Sequence, residues 1–109
     1  MEYTFSLSFR TGPKPGKVVS FQLDLTDSEV EYIKEYLRKN GLDCDYGEME
    51  FDNQSLFDKI NDSANEAVLL SVNEERISVG ENELDFDDVD WAYISFDFYW
   101  PVEMCPGRE

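Results

Sequence analysis

The chain contains no histidine and only two cysteines, Cys44 and Cys105, which do not form a CxxC pair. Without histidine, a serine or cysteine nucleophile lacks its usual general base, and two thiols alone are too few ligands for a structural zinc ion. No apolar run approaches the roughly 20 residues that cross a bilayer, and the N-terminus lacks the basic and apolar pattern of a secretory signal. These absences predict a cytoplasmic protein with reduced cysteines, no membrane contact, no metal, no cofactor and no catalytic residues.

Positive charge is scarce beyond residue 40. The 109 residues include 25 acids and nine bases, which give a formal net charge of −16. Acids and bases balance in residues 1–40, so the whole excess lies in residues 41–109, where Lys59, Arg76 and Arg108 are the only bases. Solubility of a small domain needs a net charge of magnitude about 2–8. The larger charge attracts basic surfaces and repels nucleic acids and acidic membranes, so it predicts a basic protein partner and no direct binding of nucleic acid.

The N-terminal quarter has the pattern of a β-hairpin. Apolar and polar residues alternate over 3–10 and again over 19–25, which is the period of a strand with one buried face. Two prolines and two glycines within residues 11–16 interrupt the alternation and predict the connecting loop.

The capping box of Thr26 and Glu29 stands ahead of apolar residues at helical spacing. Because Asn40-Gly41 ends this pattern, it predicts a helix over about 27–39.

A second helix is predicted over about 54–70, with Asn53 or Asp52 as its cap. The pattern leaves its end open, because residues 68–72 fit either the end of the helix or the start of a strand. Three of its acids lie four residues apart, a like-charge spacing that destabilises an isolated helix by a few tenths of a kcal/mol per pair. The helix therefore needs packing on its apolar face, or a basic partner on the acidic one.

The C-terminal third is predicted to be mainly extended. Residues 77–79 alternate briefly before Gly80 and predict a short strand or an extended segment, and residues 91–100 predict a long strand. Aromatic residues on both faces of 91–100 favour a central strand, or a strand whose second face a partner covers. The length fits one domain over 1–109. The predicted fold class is α+β: an antiparallel sheet of the N-terminal hairpin and the C-terminal strand, with two helices packed on one face.

Two segments, 42–52 and 81–90, interleave acidic and apolar residues. In the first, the alternation slips at Gly47, which fits either a bulged strand or an ordered loop. The predicted partner-binding residues are the acids of both segments and one acid of the last strand: Asp43, Asp45, Glu48, Glu50, Asp52, Glu81, Glu83, Asp85, Asp87, Asp88, Asp90 and Asp97. Trp91, Tyr93 and Tyr99 are either exposed hot spots beside these acids or ordinary core residues.

Catalytic and calcium-binding uses of these carboxylates are disfavoured. Acid–base catalysis needs two carboxyls in different environments, whereas acids that alternate with apolar residues all point to water. Residues 85–90 lack the glycine and the closing glutamate of an EF-hand loop.

The remaining function class is protein recognition. Ordered carboxylates present negative charge as a nucleic-acid backbone does, and they fit the basic groove of a nuclease or another nucleic-acid-binding protein. In size, charge and lack of catalytic groups the chain resembles two natural classes, anti-CRISPR proteins and the immunity proteins that neutralise bacterial toxins. The sequence thus predicts a non-enzymatic, nucleic-acid-mimicking inhibitor. The alternative is a plain structural or interaction domain whose surface is incidentally acidic.

Overall fold

The computed structural model describes residues 1–12, 14–41 and 51–105. A three-stranded antiparallel sheet is formed by β1 (Glu2–Thr11), β2 (Val18–Asp24) and β3 (Ser95–Tyr99) in the order β2-β1-β3. Two helices, α1 (Asp27–Asn40) and α2 (Gln54–Ser78), accompany it. Short 3₁₀ turns cover Phe86–Asp88 and Val102–Met104. The α+β class, with an antiparallel sheet and both helices on one face, is confirmed. None of the described helices has the length and apolarity needed to cross a bilayer.

The hairpin forms as its alternation predicts. The register pairs Tyr3 with Leu23 and Phe5 with Phe21, so the apolar sets of both strands share one face. Phe5, Leu7 and Phe9 are almost completely buried. The polar residues of the two strands lie on the other face, where the hydroxyls of Ser6 and Ser20 are 3.2 Å apart.

The C-terminal strand is shorter than predicted, and it lies at one edge of the described sheet. Residues 91–94 form turns instead: the Tyr93 amide donates to the Asp90 carbonyl, and the Ile94 amide to the Trp91 carbonyl. The central strand is β1, which pairs with β2 on one side and β3 on the other. Of the two alternatives for this strand, the central position is therefore wrong, and a partner on its second face stays a prediction. Its aromatic content reflects packing of Phe98 and Trp100 into the core.

Helix α1 begins and ends as its capping residues predict. The Thr26 hydroxyl accepts from the Glu29 amide, and the Glu29 carboxylate accepts from the Thr26 amide at 2.9 Å. Gly41, with φ of +79°, ends the helix and donates to the Leu37 carbonyl.

Helix α2 is longer than predicted. Asn53 is its cap and accepts from the Leu56 amide. The helix continues to Ser78, and Gly80, two residues later, has a φ of +82° that an α-helix does not allow. The predicted strand over 77–79 is therefore wrong, because residues 77 and 78 form the last turn of this helix. Burial at Val68, Ser71 and Val72 continues the helical period against the sheet, and this packing outweighs the strand propensity of β-branched residues.

One hydrophobic core joins the sheet to both helices. Its aromatic part includes Phe5, Phe98 and Trp100, with ring centroids 5.1–6.1 Å apart. The indole Nε1 of Trp100 is buried and has no hydrogen-bond partner among the residues that the structure describes. Such an orphaned donor costs about 1–3 kcal/mol of desolvation.

Candidate acidic interaction surface

Residues 81–90, here called the acidic segment, connect the end of α2 to the turn before β3. All six of its acids are exposed. Glu81 is ion-paired with Arg76, with Nη1 and Oε2 2.9 Å apart. The other five have no basic partner in the part of the chain that the structure describes. The sequence explains this, because it has no lysine or arginine between Arg76 and Arg108.

Two side chains of α2 hold the first half of this segment. Asn73 donates through Nδ2 to the Leu84 carbonyl at 3.1 Å and accepts through Oδ1 from the Leu84 amide at 2.8 Å. Arg76 donates to the Asn82 carbonyl, with Nε 2.6 Å from the oxygen. These bonds fix the backbone at Asn82 and Leu84. The backbone of Glu83, between them, is therefore held in place while its side chain remains in water.

A 3₁₀ turn and two apolar contacts hold the second half. Val89 is buried, and the rings of Phe86 and Trp91 lie 4.8 Å apart. The Trp91 indole donates to the Phe86 carbonyl at 3.1 Å. Carboxylates at 85, 87, 88 and 90 thus project from a hydrogen-bonded turn rather than from a free tail.

The three aromatic residues considered as hot spots fall into two groups. Tyr93 and Tyr99 are 60% and 51% exposed, whereas Trp91 is partly buried and packs against the core. Tyr93 lies three residues after the end of the acidic segment, and its carbonyl accepts from the Thr11 hydroxyl at 2.6 Å. One exposed aromatic ring therefore borders the acids on an anchored backbone.

Asp97 lies on the polar face of the sheet, where Arg10 neutralises it. Arg10 Nε donates to Asp97 Oδ1 at 2.8 Å, and a second, shorter contact joins Nη2 to the same oxygen. The hydrogen bonds from Arg10 hold the pKa of Asp97 below its usual value. This carboxylate therefore contributes less to an external field than the acids of 83–90.

The acids of 43–52 are placed apart from the acidic segment where the structure describes them. Asp43, Asp45, Glu48 and Glu50, and with them the choice between a bulged strand and a loop, lie outside the described residues. Asp52 is exposed, and its amide donates to the Tyr32 hydroxyl at 2.7 Å. It precedes α2, whose 25 residues span about 37 Å. Asp52 and the acidic segment therefore lie at opposite ends of this helix.

A row of acids on α2 lies between the two ends. Asp58, Asp62 and Glu66 are exposed and follow one another at one-turn intervals, about 6 Å along the axis. The four-residue spacing marks this row in the sequence, but the predicted site omitted it. One charge per 6 Å is about half the linear charge density of a single DNA strand, which carries one per about 3.4 Å.

Metal chemistry finds no support in the described residues, where no group of three acidic or cysteine side chains is arranged to hold an ion. Cys105 is a free, partly buried thiol, and Cys44 lies outside the described residues.

Comparisons with protein-family models, with curated proteins and with solved structures find no match to this chain. The function is therefore inferred from the chemistry of the surface alone.

Proposed function

We propose that this protein is a non-enzymatic inhibitor that binds a basic nucleic-acid-binding protein, of the nuclease class. Its carboxylates would occupy the groove in which that partner binds the phosphates of a nucleic acid. The observation that carries the proposal is the acidic segment. Five of its carboxylates have no basic partner among the described residues, although hydrogen bonds from Asn73, Arg76 and Trp91 fix the backbone that bears them.

The anchoring is what distinguishes this surface from a solvated acidic tail. Ordering flexible groups on binding costs about 0.5–1.5 kcal/mol per immobilised side chain, and disordered backbone costs more. Carboxylates on a backbone that is already fixed avoid the backbone part of this cost. Uncompensated charge on a fixed surface also accelerates the encounter with a basic partner, and salt weakens that effect.

The length of the acidic surface supports a nucleic-acid-like outline. The row on α2 begins at Asp58 and the acidic segment is anchored at Asn73 and Arg76, so these acids extend over about 27 Å of the helix axis, most of the 34–36 Å of one turn of B-DNA. A groove that binds duplex over one turn would meet acids at intervals along this length. The lower charge density implies that apolar contacts, such as the exposed Tyr93, contribute to affinity.

The proposal is tested by capture followed by competition. The immobilised protein is incubated with lysate of its source cell at about 0.05 M salt and washed at about 0.5 M, where the Debye length is about 4 Å instead of 13 Å. We expect a basic nucleic-acid-binding protein to be retained at low salt and released at high salt. The purified partner is then mixed with labelled duplex DNA, and we expect the acidic protein to displace the DNA and suppress its cleavage.

Matched charge reversals identify the surface involved. One variant reverses three acids of the acidic segment, and the control reverses three exposed acids on other elements, so both have the same net charge. The test variant is Glu83→Lys, Asp85→Lys, Asp87→Lys, and the control is Glu2→Lys, Glu31→Lys, Glu103→Lys. We expect the test variant to lose capture at least tenfold more than the control does.

Three results would contradict the proposal: equal binding by both variants, DNA that stays bound to the partner at saturating inhibitor, or a partner that salt does not release. The last would favour the alternative, an interaction domain with an incidentally acidic surface. Identification of the partner as a defence nuclease or as a toxin would decide between an anti-defence protein and an immunity protein.

A further inference from the structure

A cavity of about 310 Å³ lies between the end of α2, the acidic segment and the turn before β3. Its walls are mainly apolar, with side chains of Val72, Val79, Leu84, Val89 and Ile94. An apolar cavity of about 150 Å³ already holds a benzene molecule, so this one has room for a single long side chain.

The polar lining of this cavity is negative on balance. Glu75, Glu81 and Asp90 line it together with Arg76. Arg76 is paired with Glu81, so the carboxylates of Glu75 and Asp90 are left without a cation among the described residues. A neutral occupant would remove water from these carboxylates without compensation, whereas a cationic one would replace the lost hydration.

Two of the side chains that line this cavity are apolar or aromatic and largely exposed. They are Val79, at 64%, and Tyr93, at 60%. This is the arrangement of an interface hot spot, in which one inserted side chain is surrounded by contacts that exclude water.

We propose that this cavity receives an arginine side chain of the basic partner. The apolar walls suit the aliphatic stem, and a guanidinium with five N–H donors is the cation best supplied with hydrogen bonds for a cavity lined by both Glu75 and Asp90. A guanidinium is more weakly hydrated than an ammonium and stacks on aromatic faces such as Tyr93, so arginine fits better than lysine. This inference rests on the proposed function, and it supplies the desolvated contact that rim charges lack.

The test uses N-acetyl-arginine methylamide as the probe, with the citrulline derivative as its neutral isostere and the lysine derivative as its cationic analogue. Amide chemical shifts of the ¹⁵N-labelled protein are followed during titration. We expect saturable shifts at Val79 and Tyr93, and at Gly12, which also lines the cavity, with the arginine probe. Binding of the citrulline derivative should be at least tenfold weaker, and that of the lysine derivative intermediate.

Two pairs of variants locate the site. Val79→Trp fills the cavity without changing charge, and Ile77→Trp places the same side chain on a neighbouring exposed position outside the cavity. Asp90→Asn removes a lining carboxylate, and Asp88→Asn removes one that does not line it. The first member of each pair should weaken arginine binding at least tenfold, while the second leaves it within twofold.

The outcomes separate this inference from the proposed function. The cavity assignment is wrong if binding of the arginine probe does not saturate, if the citrulline probe binds as tightly as the arginine probe, or if Val79→Trp binds the arginine probe as tightly as the wild type does. This holds whether or not the wild type still captures a salt-released basic protein. If the arginine probe binds as described but no basic partner is captured, the cavity assignment stands and the inhibitor proposal fails.

Discussion

Asn73→Ala tests how much one of the two α2 side chains that hold the acidic segment contributes to its anchoring. The Asn73 amide makes two part-buried hydrogen bonds to the Leu84 backbone, at 3.1 and 2.8 Å. A net value of about 1 kcal/mol for each gives a loss of about 2 kcal/mol. Alanine is the better helix former by about 0.5 kcal/mol, so the free energy of unfolding should fall by about 1.5 kcal/mol.

The matched control is Asn65→Ala, the same substitution on the same helix. The structure gives the Asn65 side chain no hydrogen bond to another described residue, so this variant should gain about 0.5 kcal/mol from helix propensity. Urea unfolding of the two variants should therefore differ by about 2 kcal/mol, and this difference isolates the contribution of the Asn73 pair.

Amide hydrogen exchange shows where the loss is felt. The Leu84 amide should exchange about 30-fold faster in Asn73→Ala, which is the equivalent of about 2 kcal/mol, if the segment opens locally. The reasoning is refuted if the two variants unfold at the same urea concentration and the Leu84 amide exchanges at the wild-type rate in both.

Three further predictions concern pH, salt and the core. Burial raises the pKa of Glu29, but hydrogen bonds from the Thr26 amide and Lys59 lower it more, so the net pKa is lowered. The stabilisation this gives is present above the unfolded-state pKa of about 4.3 and is lost as pH falls through the folded-state pKa; the difference in Tm between wild type and Glu29→Gln should shrink from about pH 5 to pH 3, and a constant difference would contradict this. The triple lysine variant of the acidic segment should have a higher Tm than wild type at about 0.01 M salt and nearly the same Tm at about 1 M, since screening removes the repulsion; equal Tm at low salt would show that the acids do not repel one another measurably. Trp100→Phe should change the free energy of unfolding by less than about 1 kcal/mol in urea, because losing the orphaned Nε1 offsets the smaller ring, and a loss above about 3 kcal/mol would show that the indole nitrogen is satisfied.

The features that the sequence predicted well depend on neighbouring residues. The alternation around Phe5 fixes which face of β1 is buried, and the exchange of bonds between Thr26 and Glu29 fixes where α1 begins. The start of β3 and its place in the sheet are different. The alternation allows residues 91–94 either to extend the strand or to turn, and only packing against β1 decides between the two. The continuation of α2 beyond residue 70 is likewise set by burial of Val72 against the sheet.

The candidate surface divides in the same way. Exposure of the acids over 81–90 follows from their alternation with Leu84 and Val89. The anchoring by Asn73 has no sequence signature, since an asparagine within a helix gives no sign of a backbone partner eleven residues later. The cavity also has no sequence signature, because it forms only when residues 72–94 fold back on themselves beside Gly12.

The central place of β1 in the sheet has a consequence for biosynthesis. This strand is made before β2, whereas its second neighbour, β3, follows only after both helices have been made. Until residue 99 emerges, the hairpin has an open backbone edge along Ser6 and Ser8, where β3 later pairs. A nascent chain at that stage can pair with another strand, so chaperone binding to stalled chains should decline once β3 is released.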